Sequence, residues 1–254
     1  MKKLVILLLF ISHSYSQSSG LSRDEILNYI KELDSIISVA PTPNDYYLRG
    51  VQKYHIQEYN DAIEDFNSCI DSNDKSPESY FYRGICLESL KQYRSALNDY
   101  NKSLNLNPNF VDAISRRAYC KTILKDFEGA VKDYDLLIEL KPTSTNFNNR
   151  GLAYTKINQN SIAISDFNKA INLDSKNIEA LENRAQAKAF INDKTAIIDF
   201  NKVIELNPKN GKSYFNRAIH LLNNKLKGDY CSDLRKSLDL GFKEAENILK
   251  EVCK

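Results

Sequence analysis

Three histidines, His13, His55 and His220, make up the whole imidazole complement of this 254-residue chain, and tryptophan is absent. Imidazole is the side chain that most often moves protons or binds metal near neutral pH. Beyond residue 16 only His55 and His220 remain, far apart and outside any H-E-x-x-H spacing, and the five cysteines contain no C-x-x-C pair. The acidic residues fall singly on helix-like faces, where solvation is the ordinary role. Eight glycines leave little for a phosphate-cradling loop. No catalytic residue, metal ligand or cofactor is therefore expected, and the chain reads as a non-enzyme. Two columns of charge are the remaining chemistry. Arg49, Arg83, Arg117, Arg150, Arg184 and Arg217 recur at one phase, and Asp65, Asp99, Asp133, Asp166, Asp199 and Asp233 recur at another. Six arginines could make an anion-binding strip. A matched acid in every unit points instead to a structural ladder of paired charges, because a ligand site tends to break a repeat whereas scaffolding follows it. Pairing within a unit and pairing with a neighbour fit the pattern equally.

The elements that must position these columns are also repeated. Six segments align: Tyr46 to Gly50, Tyr80 to Gly84, Ile114 to Ala118, Phe147 to Gly151, Leu181 to Ala185 and Tyr214 to Ala218. Their closing small residues stand 34, 34, 33, 34 and 33 apart. A second signature follows in each unit, from Ala62 to Phe66, Ala96 to Tyr100, Ala130 to Tyr134, Ala163 to Phe167 and Ala196 to Phe200, with Tyr230 to Leu234 as a degenerate sixth copy. Apolar residues at helical spacing in both halves predict two helices per unit. Asn60-Asp61, Gly129, Asn192-Asp193 and Gly228 are expected at the bends, and Pro108, Pro142 and Pro208 close three units. The small column lets two backbones approach, with the aromatic column filling the space beside it. One such hairpin cannot bury its apolar face alone, so neighbours must stack.

The chain resembles the tetratricopeptide repeat family. The residues that carry the likeness are the aromatic or aliphatic opener, the Gly/Ala four positions on, the Ala62/Ala96/Ala130/Ala163/Ala196 column, its aromatic partner four residues later and the closing proline, over about residues 43–244. The opener is never Trp, and the mid-helix tyrosine usual in the family occurs only as Tyr154. The resemblance implies an all-α, right-handed α-solenoid of about six helix-turn-helix repeats, at 43–76, 77–110, 111–143, 144–177, 178–210 and 211–244. A linker and N-terminal capping helix are expected over 17–42, where Ser22, Asp24 and Glu25 form a capping-box pattern and Ile26, Leu27, Ile30, Leu33, Ile36 and Ile37 form an apolar stripe. A C-terminal capping helix is expected over 242–254.

Function by resemblance is partner binding, in the groove lined by the first helix of each pair. On this chain that face holds Tyr47, Val51, Tyr54, Phe81, Ile85, Glu88, Tyr119, Thr122, Asn148, Leu152 and Thr155, with Glu182, Gln186, Phe215 and Ile219 further on. A protein or peptide segment anchored by the early aromatics is the expected ligand. Recognition of a glycan or peptidoglycan by ring stacking on Tyr47, Tyr54, Phe81 and Tyr119 is the alternative. The Lys and Asn residues with which the chaperone-binding members clamp a terminal carboxylate are missing from this face.

Address and compartment come from the first residues and the cysteines. Lys2 and Lys3 precede the apolar run Leu4 to Ile11, with Ser14 and Ser16 beyond it. Eight helical residues rise roughly 12 Å, short of the ~30 Å hydrocarbon core, so 1–16 reads as a secretory signal peptide cut between Ser16 and Gln17. An exported protein, periplasmic or secreted and without a membrane span after cleavage, is the expectation. Loss of Lys2 and Lys3 leaves 33 basic against 33 acidic residues, a balance unlike that of a nucleic-acid binder. Cys69, Cys86 and Cys120 sit where small apolar residues pack. Cys231 opens the last repeat helix and Cys253 ends the terminal one, so an antiparallel hairpin about Gly241 would bring them together as a disulfide in an oxidising compartment.

Overall fold

The structure, a computed structural model, describes residues 21–72 and 75–253. The expected signal segment, with its Ser16–Gln17 cut, lies outside the described residues. Among the described residues there are fourteen α-helices and no strand, the all-α solenoid class that the repeat predicts. The chain forms two compact units, Met1–Ala113 and Ile114–Lys254, each with its own interior.

The first unit holds α1 (Arg23–Val39), α2 (Pro43–His55), α3 (Tyr59–Asp71), α4 (Pro77–Ser89) and α5 (Tyr93–Leu106). Helix starts are written in side-chain oxygens. The Ser22 hydroxyl accepts from the Glu25 amide at 3.3 Å while Glu25 Oε2 accepts from the Ser22 amide at 2.7 Å. Thr42 and Asp45 form the same reciprocal pair at α2, with Pro43 in the first helical position, and Ser76–Pro77 open α4. Hairpins α2/α3 and α4/α5 close around Gly50 against Phe66 and Gly84 against Tyr100. A Cβ at Gly84 would lie 2.7 Å from the Tyr100 ring. Ala62, Phe66, Ala96 and Tyr100 are wholly buried. Helix α1 covers the open end of the unit through Ile26 and Ile30, which pack with Ile56.

The second unit contains α6 (Val111–Ile123) from Ile114 on, then α7 (Phe127–Leu140), α8 (Ser144–Lys156), α9 (Asn160–Leu173), α10 (Ile178–Phe190), α11 (Ala196–Leu206), α12 (Gly211–Asn223), α13 (Tyr230–Asp239) and α14 (Ala245–Val252). Hairpins α8/α9, α10/α11 and α12/α13 repeat the construction, with Phe167 against Gly151, Phe200 packed with Ala185, and Leu234 with Ala218. Helix α14 lays Ala245, Ile248, Leu249 and Val252 over Ala218, Leu234 and Phe215. The Cys231–Cys253 disulfide joins the start of α13 to the end of α14, with Cα atoms 5.7 Å apart.

Two bend markers fall elsewhere than expected. Asn60-Asp61 and Gly129 lie in the first turns of α3 and α7. The chain turns instead at Gln57 and Lys125, and likewise at Lys91, Asn158, Asn192 and Lys225, all with φ between 49° and 67°. A left-handed residue just past a helix end is a C-terminal stop, and here backbone bonds secure it. Lys91 N–H donates to Glu88 O and Gln92 N–H to Leu87 O, both at 2.8 Å.

Candidate functional site: the first-helix face of the repeats

The charged columns meet across each hairpin. Arg83 Nε and Nη2 donate to Asp99 Oδ2 and Oδ1 at 2.8 and 2.7 Å. The same two-pronged bond joins Arg49 to Asp65, Arg117 to Asp133, Arg150 to Asp166, Arg184 to Asp199 and Arg217 to Asp233. All six aspartates are buried. The third guanidinium nitrogen reaches back to the preceding helix: Arg49 Nη1 to Asp34, Arg83 to Asn67, Arg150 to Asp135, Arg184 to Asn168 and Arg217 to Asn201, at 2.6–2.7 Å. Each column arginine therefore meets the aspartate of its own unit, and the contact to the preceding helix goes to a residue outside the aspartate column. Hydrogen bonds to aspartate hold the Arg49, Arg83 and Arg150 guanidiniums above their ordinary pKa, against the opposing effect of burial. Aromatic openers add a face: Tyr46, Tyr80, Phe147 and Tyr214 lie under the arginine three residues on, 5.6–5.8 Å from ring centre to Cζ. Lys53, Lys121 and Lys188 join Asp65, Asp133 and Asp199 as second cations. Donors so thoroughly used have little left for an external anion.

The sequence-derived groove residues divide by burial. Tyr47, Phe81, Ile85 and Asn148 are buried among the helices, so they are interior packing and not surface. Tyr47 meets Tyr82 edge-on at 5.9 Å, and Phe81 meets Phe110 at 4.7 Å. Val51, Tyr54 and Glu88 are half-buried, Glu88 accepting from the Tyr100 hydroxyl at 2.7 Å. Tyr119 is exposed, and the Thr122 hydroxyl bonds its own helix at Ala118 O.

Two recesses open on the second unit. A recess of about 210 Å³ lies between α8 and α10, lined by Leu152, Thr155 and Lys156 on one side and Asn183, Gln186 and Phe190 on the other. A second, of about 220 Å³, lies between α10 and α12 and shares Gln186 and Phe190, with Phe215, Asn216, Ile219 and Asn223 opposite. Phe190 stands between the two and is 69 % exposed, unusual for phenylalanine in a helix. The second recess has a buried histidine at its base. Asn224 Nδ2 lies 3.2 Å from His220 Nδ1. Leu152, Thr155, Gln186, Phe215 and Ile219 belong to the face read from sequence, whereas Phe190, Asn183 and Asn216 were missed. A signal for two of them exists: asparagine directly precedes the column arginine in three consecutive units, as Asn149-Arg150, Asn183-Arg184 and Asn216-Arg217.

No group of His, Cys, Asp or Glu suited to a metal occurs among the described residues. No described helix is long and apolar enough to cross a membrane.

Helix hairpins in register, closed by a small residue against an aromatic or, in α12/α13, a leucine, define an α-solenoid repeat protein. The tetratricopeptide repeat family model matches residues 77–110 and again residues 145–177, so the chain carries tetratricopeptide repeats at those two places. Among solved structures, the C-terminal part of a TPR repeat-containing protein from Cytophaga hutchinsonii is similar at 19 % identity and TM-score 0.73, covering 88 % of this chain and 94 % of that one. A tetratricopeptide repeat protein from Parabacteroides merdae matches at 20 % identity and TM-score 0.61, with 94 % and 96 % covered. YrrB, a TPR protein with an unusual peptide-binding site, matches at 19 % and TM-score 0.62 over 73 % and 97 %. At these identities the likeness is one of fold. No curated protein matches the chain in sequence.

Proposed function

We propose that this protein is a non-catalytic interaction scaffold, exported from the cytoplasm, that holds a segment of a partner protein on the first-helix face of α8, α10 and α12. The observation that carries the reading is the pair of adjoining recesses on either side of exposed Phe190. An exposed aromatic flanked by two hollows is the arrangement that concentrates binding energy in a few desolvated contacts. The fold supports a protein partner, and the peptide-binding site described for YrrB supports a segment as the bound form. The Arg–Asp columns act as scaffolding in this reading, because their donors already have internal acceptors. The Cys231–Cys253 disulfide and the basic-then-apolar first residues support an oxidising compartment outside the cytoplasm.

The test is site-specific photocrosslinking in the native host. A benzophenone amino acid at Gln186 should trap one dominant partner, and Phe190→Ala in that background should remove the adduct while far-ultraviolet dichroism stays unchanged. An adduct that survives Phe190→Ala would discard the assignment.

A further inference from the structure

We infer that the segment held beside Phe190 is an uncharged, extended stretch of polypeptide, gripped through its main-chain amides and apolar side chains without any ionic anchor. This rests on the groove reading above and specifies its ligand. Charged residues make up 27 % of the chain, and the exposed faces of an ordinary helical repeat are mostly charged. Around the two recesses the balance is different. Lys156 is the one permanently charged residue lining them, and no acid does.

Side-chain amides stand in their place: Asn158 and Asn183 in the first recess, Asn216 and Asn223 in the second, and Gln186 between them. Each amide offers two donors and one acceptor oxygen at zero net charge, one donor more than a peptide unit and complementary to it. Gln186, Asn216 and Asn223 have no side-chain hydrogen-bond partner among the described residues, so their capacity is open to a ligand. Asn183 is held in place differently, by an Nδ2–H bond to Asn148 Oδ1 at 2.9 Å. Except for a carboxylate beside the exposed Lys156, a charged ligand group seated here would give up water without meeting an opposite charge, which is costly. A peptide backbone would exchange its waters for matched amides, while Phe190, Leu152 and Ile219 cover its apolar side chains.

A neutral oligosaccharide shares the lack of charge, but ring stacking needs several flat exposed rings. Here Phe190 is exposed, Phe215 only partly so and Phe200 buried, and the other apolar lining is aliphatic.

The experiment selects from a random decapeptide library with both termini blocked, using the full chain with its disulfide intact. Enriched sequences should lack Asp, Glu, Lys and Arg. Their dissociation constants should change less than twofold between 50 and 500 mM NaCl, and both Phe190→Ala and Asn216→Ala should weaken them at least tenfold with helicity unchanged. Phe190 is too exposed for its truncation to unfold the array, and Asn216 supplies an independent second variant. Enrichment of charged sequences whose affinity falls tenfold with salt, yet still depends on Phe190, overturns the uncharged ligand and leaves the groove in place. Peptides indifferent to Phe190→Ala overturn both. If no peptide is enriched, the inference fails; chitohexaose binding that depends on Phe190 would then reassign the recesses to a glycan.

Discussion

Arg117 and Arg83 differ in one respect that stability measurements can read. Asp133 holds Arg117 and also Lys121, whereas Asp99 is paired with Arg83 without a lysine, because Leu87 occupies the corresponding position. Asp133→Ala leaves two cations unmatched at a buried site and should cost about 3–5 kcal/mol in urea unfolding, with Asp99→Ala at the lower end of that range. Equal losses would deny the lysine a role. Packing gives a second expectation. A Cβ at Gly151 would stand 2.6 Å from the Phe167 ring, so Gly151→Val should destabilise by about 1–3 kcal/mol, read as a lower urea midpoint. Burial also pushes the Cys86 thiol from 9.0 up to about 12. The unfolded thiol ionises above about pH 9 while the folded one keeps its proton. Its contribution to stability is therefore complete below pH 9 and lost as pH rises toward 12, and Cys86→Ala should flatten the alkaline fall in melting temperature. The Arg and Asp columns were legible in the sequence because type and spacing recur without exception. Asn67, Asp135, Asn168 and Asn201 were not, since two residue types share that column and the contact crosses to another repeat.

At the level of the helix, the turns show where sequence reading loses resolution. Gln57, Lys91 and Lys125 are poor candidates for a left-handed backbone by residue type, and glycine or asparagine elsewhere drew attention instead. Backbone bonds from the turn to the end of the preceding helix hold the conformation, so the side chain need not favour it. Lys91→Gly should relieve the Cβ strain and raise stability by up to about 1 kcal/mol, measured by chemical denaturation; a loss would mean that the lysine stem packs more tightly than its exposure indicates. Helix α11 starts late for a related reason. Ala196, Ile197 and Ile198 N–H groups bond three residues back, to Asp193, Lys194 and Thr195, a tighter 3₁₀ turn. Groove assignment suffered most at this scale. Heptad-like spacing gives the face of a helix but not how far the neighbouring helix covers it, and Tyr47 and Phe81 turned out to be interior while Phe190, two turns along its helix from Asn183, stands open.

For the molecule as a whole, the ends were more readable than the middle. Ser22 to Glu25 announces α1, and Cys231 and Cys253 sit where a hairpin about Gly241 joins them. Opening that disulfide by Cys231→Ser should cost roughly 3 kcal/mol by loop entropy. The loss should appear as faster amide exchange in α14 with α8 and α9 unaffected, since repeats unfold locally. Without reductant the unfolded chain should titrate three thiols, from Cys69, Cys86 and Cys120, and the native chain none, all three being buried.

The backward reach of Nη1 from Arg49, Arg83, Arg150, Arg184 and Arg217 gives each unit a direction. Asp34 on α1 receives Arg49, and at the far end Arg235 occupies the place where an acceptor for a further arginine would stand. Within either unit, trimming from the carboxyl side strands only a neutral amide or a solvated acid, while trimming from the amino side leaves one guanidinium nitrogen of a half-buried cation without its acceptor. A chain emerging amino end first from the ribosome meets the easier case at these five arginines: each arrives to find its earlier docking point already built.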